Sequence, residues 1–564
     1  MNILPEISAE VTKLLNEHEE EIRAWCSQQV YGALVAESGD SLLVRVGERI
    51  EWAALEMECQ AYRHYAGKRG QEESYSVGQL LRLLLVRYLL TCSLRESVGL
   101  VRRDMLVRWF CGFDLWEATP AFATLQRFER WIVANKPRLL FDKALDRIDE
   151  DFPLDARCAQ IGDTFALRTT SADLSLTQLL RRTASQWWAE YLRLLPAGEE
   201  APAQIENLYE ELQGSAEETP EFRLNGEERE SRALACAQFL AQLLPTVQSH
   251  LQSLSGLTPE QSAHFDTWGQ RLHKILTDEF VSQSGEKGQP AALRRASQEE
   301  RGSYRLLTPV DPDITLRVHD DQVDRGYNIS LAATPDFVRE IAAATGSTPD
   351  SAGVEKLVEQ QKVQRGVVPP KLIYDKAAGT PKKIADVAKA SDGKTLLVVR
   401  LVDYNRNRVR YGPLDFSLGQ DGVLTCPNGE TSSRAYRSNS ADGWNYRFLA
   451  DQCAGCPLVD KCRGDAVKAG SYRQVFISSY QSQQRTAIAY MKTDAFQTDM
   501  QLRPHIERII ACLVRYNGAR YTQGYGLARA DFQVKMAATA YNLKHWLVLT
   551  LEREQAQQVQ AASP

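Results

Sequence analysis

The sequence predicts an α/β protein in which a mixed sheet carries helical insertions and is preceded by an all-α N-terminal domain. Three observations lead there. Apolar residues recur at helical spacing through about residue 150. From residue 157 onward, short β-branched and aromatic runs alternate with helical segments, as in a sheet with covering helices. A long Glu-rich helical stretch, 175–300, separates the first of these runs from the next and therefore reads as an insertion.

Residues 1–70 read as acidic, amphipathic helix. The run Val77-Gly78-Gln79-Leu80-Leu81-Arg82-Leu83-Leu84-Leu85 belongs to a strongly apolar helix. A second helix is expected from Ser93, because Ser93 and Glu96 have capping-box spacing. A third is expected from Thr119-Pro120, a cap followed by proline at the first helical position, and it carries Arg127 and Arg130. This order is compatible with a helix-turn-helix DNA reader, and plain helical packing explains it equally.

Residues 158–167 read as a strand ending near Asp163. Strands are expected again at 314–319 and 327–332, with Asp324-Arg325-Gly326 in the turn between them. A helix at 351–363, a buried strand 371–375 ending in Asp375, a helix at 381–390 and a strand at 395–401 follow. Residues 403–490 look loop-rich, and one long amphipathic helix then runs from 494 through Glu507 to 516. The expected domains are therefore 1–150 and 151–547, the latter interrupted by 175–300 and by a Cys-rich insertion, 403–490, with a polar tail at 548–564.

With 43% hydrophobic and 25% charged residues, the 564-residue chain has the composition of a soluble globular protein, long enough for more than one core. No segment has the roughly 18 uninterrupted apolar residues of a membrane span. The acidic N-terminal sequence lacks an apolar signal core, so a cytoplasmic, membrane-free protein is expected. The net charge of −6 counts against uniform polyanion binding, but its distribution is uneven. Residues 365–411 hold eleven Lys/Arg against four Asp, and 500–547 hold seven against Glu507 and Asp531. Solvated faces would give the same runs.

Of eleven cysteines, six (Cys26, Cys59, Cys92, Cys111, Cys158, Cys236) are scattered among apolar residues, as small core side chains in a reducing compartment would be. Cys426, Cys453, Cys456 and Cys462 cluster beside Pro and Gly turn residues. A C-x2-C pair with a third thiol six residues on and a fourth upstream suits a closed, structural Zn²⁺ site. Four ordinary reduced thiols are the alternative.

Asp163 and Asp375 each fall at the predicted C-terminal end of a strand, where open α/β sheets gather their ligands. Glu507 lies on a helix whose Ile506, Ile509, Ile510 and Leu513 suggest a sheet-packed face. Carboxylates brought together repel and need cations. Mg²⁺ (or Mn²⁺) suits oxygen ligands, and two such ions serve an in-line displacement at phosphorus. Any one of these acids alone reads as a solvated surface residue. No histidine pair has ligand spacing, and no phosphate-binding loop or nucleophile elbow is present.

Together these pieces resemble the DDE transposases of bacterial insertion sequences, in the branch with an N-terminal helical domain and a cysteine-bearing insertion. The resemblance spans about 76–547. It rests on Ile161-Gly162-Asp163-Thr164, Arg325-Gly326-Tyr327-Asn328-Ile329, Leu372-Ile373-Tyr374-Asp375-Lys376-Ala377-Ala378-Gly379, Arg503-Pro504-His505-Ile506-Glu507-Arg508, and the ending Gly524-Tyr525-Gly526-Leu527-Ala528-Arg529 with Ala540-Tyr541-Asn542-Leu543-Lys544. It implies an RNase H-like sheet, Asp163, Asp375 and Glu507 as catalytic metal ligands, and cleavage and strand transfer on double-stranded DNA by a homodimer or larger assembly. It also implies that Arg503 faces the DNA backbone. Arg508, Arg515, Arg127 and Arg130 are the other expected DNA contacts. The sequence departs from the family where Tyr and Lys often stand on the last helix: Met500 and Val514 occupy those places. Phe165-Ala166-Leu167 after the first aspartate is also atypical, which leaves Asp173 as an alternative to Asp163. A transposase-derived DNA-binding protein without catalysis and an RNase H-like nuclease without strand transfer are the rival readings.

Overall fold

The computed structural model describes residues 18–63, 75–171, 173–215, 217–254, 258–283, 292–302, 304–319, 322–401, 410–463 and 472–562. Through Asp151 every described element is a helix: α1 (Glu19–Glu37), α2 (Leu42–Arg49), α3 (Trp52–Glu58), α4 (Val77–Leu89), α5 (Leu94–Arg103), α6 (Met105–Phe110), α7 (Phe122–Asn135) and α8 (Leu139–Asp151). The expected acidic helix over 1–70 is thus three shorter helices, with 1–17 and 64–70 outside the described residues. Ser93 and Glu96 form the anticipated capping box of α5. Helix α7 begins at Phe122 rather than at Thr119-Pro120 and has no side-chain cap. Thr119 is engaged elsewhere, because its Oγ1 accepts from Arg102 Nε at 3.1 Å. Among the described residues no single helix is long and apolar enough to cross a membrane; α4 and α5 pass that test only as a pair, bent by 109°, and α4 is buried on almost every side.

The sheet begins with β1 (Gln160–Arg168). The helical insertion follows as α9 (Leu176–Leu194), α10 (Ala203–Gln213), α11 (Gly226–Ser253) and α12 (Pro259–Glu279), and ends in a hairpin, β2 (Phe280–Gln283) and β3 (Ala292–Arg295), that its helical periodicity did not predict. Its buried side chains, among them Trp187, Tyr191, Leu240 and Phe265, form a cluster of their own.

Next come β4 (Thr315–His319), β5 (Gln322–Ala333), β6 (Val338–Thr345), α13 (Val354–Arg365), β7 (Lys371–Ile373), α14 (Pro381–Ala390) and β8 (Leu396–Val398). The order β4-β5-β1-β7-β8, with β6 also on β5, mixes antiparallel pairs (β1 with β5, β5 with β4 and β6) and parallel ones (β1 with β7, β7 with β8). Asp324-Arg325-Gly326 is not a turn but part of β5. Gly326, with φ of +149°, marks where β5 passes from β4 to β6, and a Cβ there would lie 2.1 Å from the Leu167 carbonyl oxygen.

Alternation along the strands gives the sheet two dry faces. Ile161, Phe165, Leu167, Ile329, Leu331, Ile373 and Val398 join the N-terminal helices in one core. Ala332, Leu372, Tyr374, Leu397 and Val399 pack under α13 and α14. The helices before Asp151 therefore bury no core separate from the sheet.

The Cys-bearing segment folds into two small sheets rather than loops: β9 (Ser417–Leu418), β10 (Leu424–Thr425) and β11 (Thr431–Ser432), then β12 (Ala435–Arg437), β13 (Gly443–Phe448) and β14 (Arg473–Ser478). Between the last two strands lie the one-turn helices α15 (Ala450–Cys453) and α16 (Val459–Cys462). Residues 402–409 and 464–471 of that segment are outside the described residues.

After α17 (Gln481–Met491), the expected single helix over 494–516 is two, α18 (Asp494–Met500) and α19 (Arg503–Tyr516). Pro504 explains the break: it sits in the first turn of α19, where its missing N–H costs nothing, and would disrupt a helix interior. The final helix, α20 (Leu527–Ala562), takes up the expected polar tail through Ala562. It packs on β6, α8 and α4, and Arg45 of α2 lies 3.1 Å from its Glu554.

The β1–β7 junction is tightly packed. A Cβ on Gly162 would fall 2.5 Å from the ring of Tyr374, a fully buried side chain with no room to turn aside. Gly162→Ala is expected to destabilise the fold by about 1–3 kcal/mol through overpacking, read as a lower urea midpoint with an unchanged slope.

Candidate active site

The parallel ladder of β1 and β7 pairs Ile161 with Ile373 and ends there. Asp163 and Asp375 each stand two residues beyond that pair, so they occupy equivalent positions on neighbouring strands. They share the face lined by Ile161 and Ile373, toward which α19 packs Ile506, Ile509 and Leu513. Asp163 is four residues into β1, not at its end as expected. The position matches the prediction only relative to β7, whose chain peels away at Asp375 to start a one-turn 3-10 helix, Lys376–Ala378. Asp375 caps that turn, accepting from Ala377 N at 3.0 Å.

Arg503 opens α19 and reaches Asp163, with Nη2 to Oδ2 at 3.0 Å. Its other terminal nitrogen, Nη1, is buried without a partner. The expected DNA-facing arginine thus contacts the first aspartate. Asp163 also accepts from Thr164 N at 2.8 Å. Burial nevertheless pushes its carboxyl above the usual range; Thr164 N–H and Arg503 oppose this, and the charges of Asp375 and Asp350 add to it. Asp350, held by Arg317 at 3.1 Å and Asn328 at 2.9 Å, is an acid the sequence reading missed. The buried Tyr374 ring between these acids has its phenol pushed well above its ordinary value, first by burial and then by Asp163, Asp375 and Asp350.

Glu507 lies one helical turn beyond Arg503, on the same flank of α19, and is exposed. Among the described residues no group of three or more His, Cys, Asp or Glu side chains converges as a metal-holding cluster. The structure pairs the two aspartates and Arg503 and leaves Glu507 at the rim. Asp173, the alternative first acid, is exposed, lies beyond the end of β1 and is paired with Arg325. Arg508 donates to the Pro335 carbonyl at 2.8 Å, Arg515 and Arg130 are exposed, and Arg127 is half-buried on α7.

Three of the four clustered cysteines, Cys426, Cys453 and Cys462, pack on one small core of Phe416, Leu424, Tyr446, Phe448, Val475 and Ile477. Gly455, with φ of +69°, lets the chain turn between Cys453 and Cys456. The Cys462 thiol is pushed up, first by burial, with the charges of Cys453, Cys426 and Cys456 contributing and Arg473 opposing. All eleven cysteines are free. Of the six expected as core residues, Cys59, Cys111 and Cys236 are buried, Cys26 and Cys92 partly so, and Cys158 is exposed. Cys158 stands just before β1, where its Sγ donates to the Leu154 carbonyl at 3.4 Å.

Residues 425–547 match the family described as "Transposase DDE domain". That segment is similar to the DDE domain of insertion-sequence transposases. Residues 33–131 match a second one, "Transposase domain (DUF772)". The first match takes in the cysteines, Arg503 and Glu507, and the second takes in Arg127 and Arg130; the two aspartates lie outside both. No curated protein and no solved structure matches the chain.

The electrostatics of Asp163 give a pH signature. An unfolded aspartate titrates near about 3.9, and the folded value is raised. Between the two the folded state binds more protons, so this group makes stability fall as pH rises through that window. Asp163→Asn should abolish that component, which urea titrations across the acid range measure as a flatter stability profile than wild type.

Proposed function

We propose that this protein is a transposase that cuts DNA at the ends of its element and joins the freed 3′ end to target DNA. The observation that carries the reading is the register placing Asp163 beside Asp375, with Arg503 of α19 against them. A carboxylate pair that burial and mutual repulsion disfavour is chemically suited to a hard divalent cation, which takes oxygen ligands. Asp163 and Asp375 would hold Mg²⁺ or Mn²⁺, with Glu507 as the third ligand. Two such ions, when bound, supply charge neutralisation to both the attacking and the leaving oxygen.

The chain's own groups do the rest. Asp163 and Asp375 fix the position of the scissile phosphate. Arg503, with one nitrogen on Asp163 and the other unpartnered, is placed to exchange the carboxylate for a phosphate oxygen. Hydrolysis breaks the P–O3′ bond at the element end: water's oxygen bonds to phosphorus and the leaving O3′ takes up a proton. The freed 3′-OH then attacks a target phosphodiester, losing its proton as its oxygen bonds to phosphorus, while the target's own P–O3′ bond breaks and that O3′ is protonated; each step is an in-line exchange without a covalent enzyme intermediate.

The strand order β6-β5-β1-β7-β8 supports an RNase H-like sheet. The same reading divides the chain into 1–150 for DNA binding and assembly, 151–547 for catalysis with insertions at 175–300 and 403–490, and a C-terminal tail. Double-stranded DNA, a homodimeric or larger complex and a cytoplasmic setting complete it. One observation favours the rival, a DNA-binding protein without catalysis: Glu507 stands exposed and outside any cluster. Incubation with Mg²⁺ or Mn²⁺ and DNA bearing the element's own ends separates them. The expected result is end-specific nicks and joined products, lost in Asp375→Asn by at least about a hundredfold; binding without products under both metals supports the rival.

Cys426, Cys453, Cys456 and Cys462 would supply four thiols to structural Zn²⁺, a reading supported by the C-x2-C spacing and by the shared packing of Cys426, Cys453 and Cys462. Metal analysis of the purified protein should find one zinc per chain, and Cys456→Ser should lose it and lower the unfolding temperature.

A further inference from the structure

A cavity of about 780 Å³ lies between the end of the helical insertion and the β4 edge of the sheet. Arg301 and Arg305 line one wall, Arg317 of β4 the other, and the 346–350 turn the floor. Asp350 is the one carboxylate among the lining residues, and Arg317 and Asn328 already engage it. Behind the first wall, buried Glu279 accepts from Arg295 and lies 3.5 Å from Arg305 and 4.0 Å from Arg301. Arg295 also meets Glu230 at 3.0 Å, so Arg301 and Arg305 have only a share of Glu279 between them and present positive charge to the cavity. Ser347 Oγ lies on the floor, within reach of the Tyr304 phenol. A hydroxyl beside a surplus of guanidinium charge suits one kind of group, an oxyanion.

The cleft lies close to the candidate site across β1: Arg317 meets Thr164 Oγ1 at 3.2 Å on the face opposite Asp163, and the Asp350 it holds acts electrostatically on Asp163. We propose that this cleft grips the phosphodiester backbone of a DNA strand leading to or from Asp163 and Asp375. The inference rests on the transposase reading and gives the insertion a function: it supplies half of a phosphate clamp whose other half is the sheet. DNA fits better than free phosphate, because the arginines stand on separate elements around a space far larger than one phosphate.

Binding of a fluorescent duplex carrying the element end tests this, with affinity measured across a salt series by anisotropy. Arg305→Gln removes one phosphate contact while Glu279 keeps Arg295. It should weaken binding by about tenfold and reduce the slope of log K against log salt by about one. Exposed Gln298 at the cleft mouth allows a charge test that spares every native contact: Gln298→Glu should weaken binding and Gln298→Lys should tighten it. Affinities and slopes within twofold of wild type in all three variants overturn the clamp. If the wild type cleaves its ends and these variants bind normally, the clamp fails and the transposase reading stands. If the wild type binds no DNA, both fail. Competition by inorganic phosphate at millimolar concentration, with no change of salt slope in Arg305→Gln, would identify a free-phosphate site and also overturn the proposal.

Discussion

Two strands running side by side lose their freedom of register once a glycine on one admits an aromatic ring from the other. Gly162 and Tyr374 make that contact, and no other side chain could stand at 162 with the ring in place. Tyr374 is held at its far end too, where Oη donates to the Asp350 carbonyl at 3.3 Å. Because side chains alternate along a strand, fixing these two on the α13 face fixes their successors, Asp163 and Asp375, together on the other. The electrostatic tension between those acids follows from hydrocarbon packing, and the site inherits its geometry from the core.

A second constraint is charge buried between distant parts of the chain. Arg138, opening into α8, meets Glu340 of β6 at 2.8 Å, and Glu340 is fully buried. Arg339 on the same strand pairs with Asp149 at 2.8 Å and Asp155 at 3.2 Å. Burial pushes Asp155 up to about 6. Such pairs contribute little net stability against desolvation, but breaking one leaves an uncompensated buried charge. They tie the N-terminal helices to the sheet in one arrangement.

These pairs also explain what the sequence concealed. β6 was missed because Val338-Arg339-Glu340-Ile341 looks like a surface stretch; only its partners on α8 make adjacent charges tolerable in a buried strand. The Asp324-Arg325-Gly326 turn was misplaced because glycine signals either a turn or a close backbone approach, and here it is the latter. Strands ending in an acid, the capping box at Ser93 and helix α14 were legible, since each depends on neighbours in sequence. Asp350 and the Arg503–Asp163 contact were not, because they join segments far apart in the chain. The position of Glu507 relative to the aspartates belongs to the same class.

The last helix bears on how such a chain comes into being. α20 fills the space among β6, α8 and α4 with Phe532, Val534, Met536, Ala540, Tyr541 and Trp546. The earliest helices therefore emerge from the ribosome with one side of their core missing. At about 5–20 residues per second, the rest of the chain takes tens of seconds to follow. Until then the apolar faces of α4 and α8 stay open, and the nascent protein depends on chaperones or on transient cover. A chain cut short before residue 527 would lack that inner wall, so an incomplete translation product could not form the finished core.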